Sequence, residues 1–252
     1  MNSDDYKRFE NLTFEDFRRL AGDESLSRYE KIGFPDTYRD GKEAAIWRDI
    51  MSKLPALSSR NKVVLDIGPG CSELPSMLID LCREKEHKLL LVDSAEMLSH
   101  LPDEPFIEKH AGYYPDCPEL FENYRGRVDV LLSYSVLHYV FAESNIWHFF
   151  DTALELLAHG GEMLVGDIPN VSKRKRFFSS PEGIAFHRAF TGNPEDMPEV
   201  GFNHVQPQVI DDAVVLGLVN RVRLAGSDAY IVPQAPDLPL ANRREDLLIR
   251  KP

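Results

Sequence analysis

The chain has 252 residues, 43% of them hydrophobic and 28% charged, enough to fill the core of one large α/β domain without calling for a second. A formal net charge of −12 argues against DNA or RNA as a partner, because that binding depends on neutralising phosphates with Lys and Arg. Cys71, Cys82 and Cys117 are odd in number and lack CxxC spacing, which points away from a disulfide framework or structural zinc. With a polar, acidic opening, MNSDDYKRFE, and no apolar run of bilayer length, the expectation is a cytoplasmic protein with no membrane partner.

Residues 1–60 read as a helical extension. Thr13 to Ala21 and Gly41 to Leu54 have helical spacing, the second with Trp47, Ile50, Met51 and Leu54 on one face before Pro55 ends it. Tyr29, Phe34 and Tyr38, with Arg39, fit either a lid over a ligand or the packing that seats the extension on a sheet. Val63 to Leu74, VVLDIGPGCSEL, then give a buried strand, a glycine turn and a helix start in succession. Val63, Val64, Leu65 and Ile67 form the short apolar run of a strand covered on both faces, with Asp66 the one charge in it. Gly68 and Gly70 bracket Pro69 and let the backbone come close to a ligand, Ser72 is placed to cap, and Leu74, Met77, Leu78, Leu81 and Cys82 continue at helical spacing.

Beyond this turn the pattern alternates. Strands are predicted over Lys88 to Asp93, Phe106 to His110, Val128 to Ser133 and Glu162 to Asp167, with helices around Ala95 to Leu101 and over Ser144 to Ala158. Such alternation argues for βαβ units and a parallel sheet. The pattern weakens between Asp167 and Gln208, where Lys173, Arg174, Lys175 and Arg176 form a basic run and a short helix is expected from Pro181 to Phe190. This stretch, about 168–208, reads as an insertion or lid. A helix from Asp211 to Ala225 and strands Ala229 to Pro233 and Asp246 to Ile249 close the chain, so that 61–252 form the ligand-binding domain.

The glycine turn first suggests a dinucleotide, whose fingerprint is GxGxxG after a strand with an acid about 20 residues further on. Here Glu73 stands at the third glycine position, and a carboxylate there would repel a pyrophosphate at a helix N-terminus. A ligand with a cationic centre and a ribose but no phosphate suits the acids better, with Asp66 near the cation or amine and Asp93 on the ribose hydroxyls. S-adenosylmethionine is such a ligand.

VVLDIGPGCSEL resembles the glycine-rich first motif of the class I S-adenosylmethionine-dependent methyltransferases, and LLLVDS, with Asp93 followed by Ser94, resembles their second. VDVLLSYSVLHYV (Val128 to Val140) is similar to the fourth motif, and LLAHGGEMLVGDIPN (Leu156 to Asn170) to the helix, GG turn and fifth strand that follow. The resemblance implies a doubly wound, mostly parallel, seven-stranded Rossmann-like sheet with its last two strands antiparallel to each other. It also implies S-adenosylmethionine as cofactor, with Ser133 and Tyr134 beside its methionine part. In the family the third strand is usually followed by Gly-Asp, whose acid binds the adenine amino group. This chain has Gly112 followed by Tyr113 and Tyr114, so that role falls either to Tyr113, by stacking or through its hydroxyl, or to Asp116 from a shifted loop.

His138, just past the fourth strand, is the candidate general base, against a packed residue at a helix start. Asp167 could orient a substrate hydroxyl or ligate a metal, but no second and third ligand are evident nearby, so no metal site is expected. Lys173 to Arg176 are either a solvated face or a grip on a phosphate or carboxylate of the acceptor. The reading is methyl transfer from S-adenosylmethionine to an oxygen or nitrogen of a small soluble acceptor. The alternatives are a non-catalytic ligand-binding or scaffold module on the same core, and a methyltransferase whose acceptor is RNA or protein.

Overall fold

A computed structural model describes residues 9, 12–36, 40–204 and 206–252; Tyr38 and Arg39, two of the proposed lid residues, lie outside the described residues. Seven strands form one sheet: β1 (Val63–Ile67), β2 (Lys88–Asp93), β3 (Ile107–Ala111), β4 (Val128–Tyr134), β5 (Leu157–Pro169), β6 (Asp228–Pro233) and β7 (Arg244–Arg250). Their spatial order is β3-β2-β1-β4-β5-β7-β6. β1 to β5 run parallel, and β7 lies antiparallel between β5 and β6, as the resemblance implied for the last two strands. This is the doubly wound, Rossmann-like sheet that the resemblance implied, and its parallel part is what the alternation predicted.

Each face of the sheet is closed by helices, because the apolar strands have side chains alternating between two cores. On one face Val64, Leu89, Leu91, Val130 and Leu132 pack under α3 (Glu43–Lys53) and α4 (Glu73–Lys85). On the other Leu65, Leu90, Leu131, Met163 and Leu247 meet α8 (Ile146–Leu156) and α11 (Asp212–Leu224). The order turns back between β1 and β4, so their carboxyl ends diverge at a crevice, where open α/β sheets bind ligands.

The remaining helices frame that crevice. α1 (Phe14–Gly22) and α2 (Arg28–Lys31) precede the sheet, α5 (Ala95–Leu98) follows β2, α6 (Pro118–Tyr124) follows β3 and α7 (Leu137–Glu143) follows β4. α9 (Val171–Phe178) and α10 (Pro181–Thr191) occupy the stretch after β5. α2, α6 and α9 were not expected from the sequence, and α7 only in the reading of His138 as a residue at a helix start. Val136 is the N-cap of α7 and Cys117 that of α6, and neither makes a side-chain capping bond, so the capping signal is missing from both, and Pro118 at the first position is the start signal that α6 keeps. α9 does have a capping bond: Asn170 Oδ1 accepts from the backbone N–H groups of Ser172 and Lys173. Among the described residues no helix is long and apolar enough to cross a membrane.

Candidate active site

The carboxyl ends of β1, β2 and β4 open into a cavity of about 950 Å³, part of it continuous with solvent. Its floor is the glycine turn. Gly68 and Gly70 have φ of +72° and +67°, the left-handed region that costs other residues about 1–2 kcal/mol. Both also need the absence of a side chain. A Cβ on Gly68 would lie 2.5 Å from Val136 Cγ2, and one on Gly70 2.8 Å from Ile32 Cγ2. The turn is therefore pressed between the loop after β4 and the segment that follows α2. Ser72 takes the N-cap position of α4 without a side-chain capping bond and faces the cavity.

Asp93 ties the turn to β2. Its carboxylate accepts from the Gly70 backbone N–H at 3.2 Å and the Ser94 N–H at 2.7 Å, and it lines the cavity. Burial pushes its pKa up to about 6, against the pull of those two N–H groups. Asp66 does not line the cavity. With strand alternation it shares the face of Val64, beneath α4, where it is 5% exposed. Burial, and secondarily the charge of Asp93, push its pKa up to about 8. It is thus a neutral acid behind the wall at neutral pH, a correction to its expected contact with a cation.

Three other predicted residues are likewise turned away. Ser94 is buried and caps α5, its hydroxyl accepting from the Met97 N–H at 3.1 Å. Ser133 is fully buried, and its Oγ has no hydrogen-bond partner among the described residues. His138, second residue of α7, stacks on Tyr139 with ring centroids 3.9 Å apart, and is not a wall residue. Burial, assisted by Arg244 and opposed by Asp167, pushes its pKa down to about 3. Its imidazole is neutral at physiological pH and a weak base, so the packed alternative to a general base is the one its surroundings favour. Gly112, Tyr113 and Tyr134 do line the cavity. Asp116 does not; its backbone N–H closes a turn onto the Tyr113 carbonyl at 2.7 Å.

Of the roof residues, the sequence marked only Phe34, as a lid candidate. Phe14 and Phe17 of α1, with Ile32 and Phe34 after α2, face the turn, together with Tyr139 and Glu143 of α7. Phe14 meets Tyr113 edge to face at 5.0 Å, and Phe17 meets Tyr139 at 4.8 Å. Two ion pairs hold this strap down, Arg18 to Glu96 on α5 at 2.7 Å and Arg28 to Glu73 at the start of α4 at 3.1 Å. The residue expected to repel a pyrophosphate thus also anchors the strap.

At the far end, Ser135 lines the cavity and its hydroxyl donates to Asp167 Oδ2 at 2.5 Å. Both residues have left-handed backbones, φ +62° and +60°, which in non-glycine residues is strain held by the surroundings. Asp167 is fixed by Arg244 at 2.8 Å. The basic run is directed elsewhere. Lys173 Nζ donates to the Arg244 carbonyl at 2.6 Å, Lys175 Nζ to the His204 carbonyl at 3.3 Å, Arg176 pairs with Asp212, and Arg174 lies over Phe178. Helical spacing spreads these four around α9, and none reaches the wall, which removes the support for an anionic acceptor.

Among the described residues, Asp93 and Glu143 are the only Asp, Glu, Lys, Arg or His residues in the lining, and the rest is apolar, aromatic or hydroxyl-bearing. Such a site attracts a neutral or cationic ligand and rejects a phosphate. No protein-family model matches the sequence, and no curated protein matches it. Solved structures do share the fold. An S-adenosylmethionine-dependent methyltransferase from Aquifex aeolicus is 13% identical with a TM-score of 0.54, covering 88% of this chain and 96% of its own. The DszA carbon methyltransferase is 11% identical with a TM-score of 0.55, covering 98% of this chain and 69% of its own. The CurJ carbon methyltransferase is 17% identical with a TM-score of 0.54. That match takes in 85% of this chain, which spans only 56% of the CurJ one. At these identities the likeness is one of fold, and the fold is that of S-adenosylmethionine-dependent methyltransferases.

Proposed function

We propose that the protein is a methyltransferase that binds S-adenosylmethionine in this cavity and passes its methyl group to an oxygen or nitrogen of a small acceptor. The observation that carries the reading is the join between Gly70 and Asp93, in a cavity where, among the described residues, the only charged side chains are acids. It puts a carboxylate and a bare backbone turn side by side, with no cation among the described lining residues to receive a phosphate.

The residues present fit the donor. Asp93, already holding two backbone N–H groups, keeps further lone pairs for ribose hydroxyls. Gly68, Pro69 and Gly70 offer a backbone surface with no side chain in the way, and Tyr113 and Phe14 supply aromatic surface. When bound, the cofactor supplies an activated methyl group, so the protein's task is alignment and exclusion of water. Ile67, Val136 and Val140 form a dry wall, and the α1–α2 strap covers it. Asp66, protonated beneath the floor, adds no second negative charge next to Asp93. Ser135, held by Asp167, is the polar group at the β4 end of the cavity and positions the acceptor. His138 stays neutral and packs.

Isothermal titration with S-adenosylmethionine and S-adenosylhomocysteine tests the reading, and micromolar binding of both is expected. Absence of heat for either at about millimolar concentration, roughly −4 kcal/mol of binding free energy, would overturn it. Incubation with methyl-labelled cofactor and a metabolite extract then separates an enzyme, which labels a product, from a module that only binds.

A further inference from the structure

The position that follows Gly112 is Tyr113, and Asp116, the acid of the loop after β3, does not line the cavity. Among the described residues, one acid lines the cavity besides Asp93. Glu143, the last residue of α7, belongs to the wall together with Tyr113 and Phe14. These three groups are mutually close. Phe14 and Tyr113 are in edge-to-face contact, and the Phe14 backbone N–H donates to Glu143 Oε2 at 3.1 Å. The Glu143 charge is also near enough to help burial hold the Tyr113 phenol above its usual range. The Tyr113 hydroxyl is buried, and its approach to Ser144 falls short of a well-formed hydrogen bond.

The sheet order fixes which part of the donor this corner faces. Asp93 ends β2, the glycine turn ends β1 and Gly112–Tyr113 follow β3, on the side of β2 away from β1. A nucleoside whose ribose sits on Asp93 and whose chain runs along the β1 turn has its base on the β3 side. We propose that Glu143 recognises the exocyclic amino group of the donor's adenine: Oε2 is taken by Phe14, and Oε1 is the acceptor for that amino group. This rests on the methyl-donor reading of the cavity. The acid is supplied from the helix after β4 in place of the loop after β3. Because the same carboxylate holds the first N–H of α1, where a negative charge is favourable, reading the base and seating the strap fall to one side chain. Asp116 is not a rival from the wall, and Asp93, at the end of β2, is taken by the ribose.

The test is titration calorimetry with S-adenosylhomocysteine and with its analogue bearing hydrogen in place of the 6-amino group, on the wild type, Glu143→Ala, Glu143→Gln and Tyr113→Phe. A hydrogen bond to a charged acceptor gives the wild type about a tenfold or greater preference for the amino compound. In Glu143→Ala that ratio should fall to about one, with Glu143→Gln between and Tyr113→Phe close to wild type. The ratio discriminates because loosening the strap weakens both ligands alike. An unchanged ratio in Glu143→Ala, with or without uniform weakening, overturns the assignment and leaves the donor reading intact. Collapse of the ratio in Tyr113→Phe alone overturns it in favour of the phenol. If the wild type binds neither compound, both readings fall.

Discussion

Gly68→Ala is the sharpest probe of the floor of the cavity, because its cost divides into two parts with different cures. An alanine forced to keep φ near +72° pays about 1–2 kcal/mol for the left-handed backbone. Its Cβ, 2.5 Å from Val136 Cγ2, lies about an ångström inside the normal carbon contact of roughly 3.5–4.0 Å, an overpacking cost of about 1–3 kcal/mol. The sum, about 2–5 kcal/mol, is a large share of the roughly 5–15 kcal/mol that holds a domain folded. Val136→Ala removes the methyls that the new Cβ would strike and leaves the backbone part untouched. In a double-mutant cycle followed by urea unfolding, Gly68→Ala should lower the midpoint with an unchanged slope. Combining it with Val136→Ala should recover about 1–3 kcal/mol as coupling. Additivity within about 0.5 kcal/mol would refute the reasoning, since it would mean that nothing on the β4 loop presses on the turn.

Gly70→Ala meets Ile32 of the strap at 2.8 Å and should cost less stability than Gly68→Ala but weaken S-adenosylhomocysteine binding more than the fold, as read by calorimetry beside urea unfolding; equal effects on both would contradict it. Asp93→Asn should lower that affinity about tenfold or more, by removing the charged acceptor. In the wild type, affinity should fall as pH drops through about 6, where the Asp93 carboxylate gains its proton; a flat profile from pH 8 to 5 would count against its role. Asp66 has a folded pKa raised from 3.8 to about 8, so the folded state holds a proton that the unfolded state releases. Its contribution to stability is therefore full below about pH 4 and declines as pH rises to about 8. Asp66→Asn should flatten that decline in denaturation curves measured across the window, and an unaltered pH dependence would show that Asp66 is ionised in the fold. His138, with a pKa pushed down to about 3, should show neutral imidazole shifts by NMR from pH 8 down to 5; a midpoint near 6.5 would restore it as a candidate base.

The parts of this site that the sequence discloses are those made by contiguous backbone. VVLDIGPG can be read because a parallel strand buried on both faces has to be an unbroken apolar run, and because a turn squeezed from two sides excludes every side chain. Which way a side chain faces is a finer matter. Asp66 shares its face with Val64, and Ser133 with Leu131, by the two-residue period of a strand, and both stop one residue short of Ile67 and Tyr134, the strand-end residues that line the cavity. His138 was favoured for its chemistry in solution, and burial reversed the argument by taking away its affinity for a proton. Lys173 to Arg176 looked like one patch because they are adjacent, but a helix distributes four consecutive residues around its axis, and each of these four found a partner of its own.

The roof follows a different rule. Phe14 reaches Glu143 across 129 positions of sequence, Phe17 reaches Tyr139, and Ile32 closes on Gly70. None of these pairs has a periodicity or a spacing that could announce it, since each arises only when the strap folds back over the completed sheet. In the proposed reading the donor's sugar is met by a motif, while its base is met by residues that tertiary packing gathers from α1 and α7. This division explains why Glu143 escaped notice as Asp93 did not: Asp93 sits where a strand must end, and Glu143 acquires its neighbours only through the strap. It also sets the order in which substitutions act. Changes at Gly68, pressed against the β4 loop, reach stability first and affinity through it, whereas changes at Gly70, at Glu143 or in the strap act on the ligand while the sheet and its two cores remain whole.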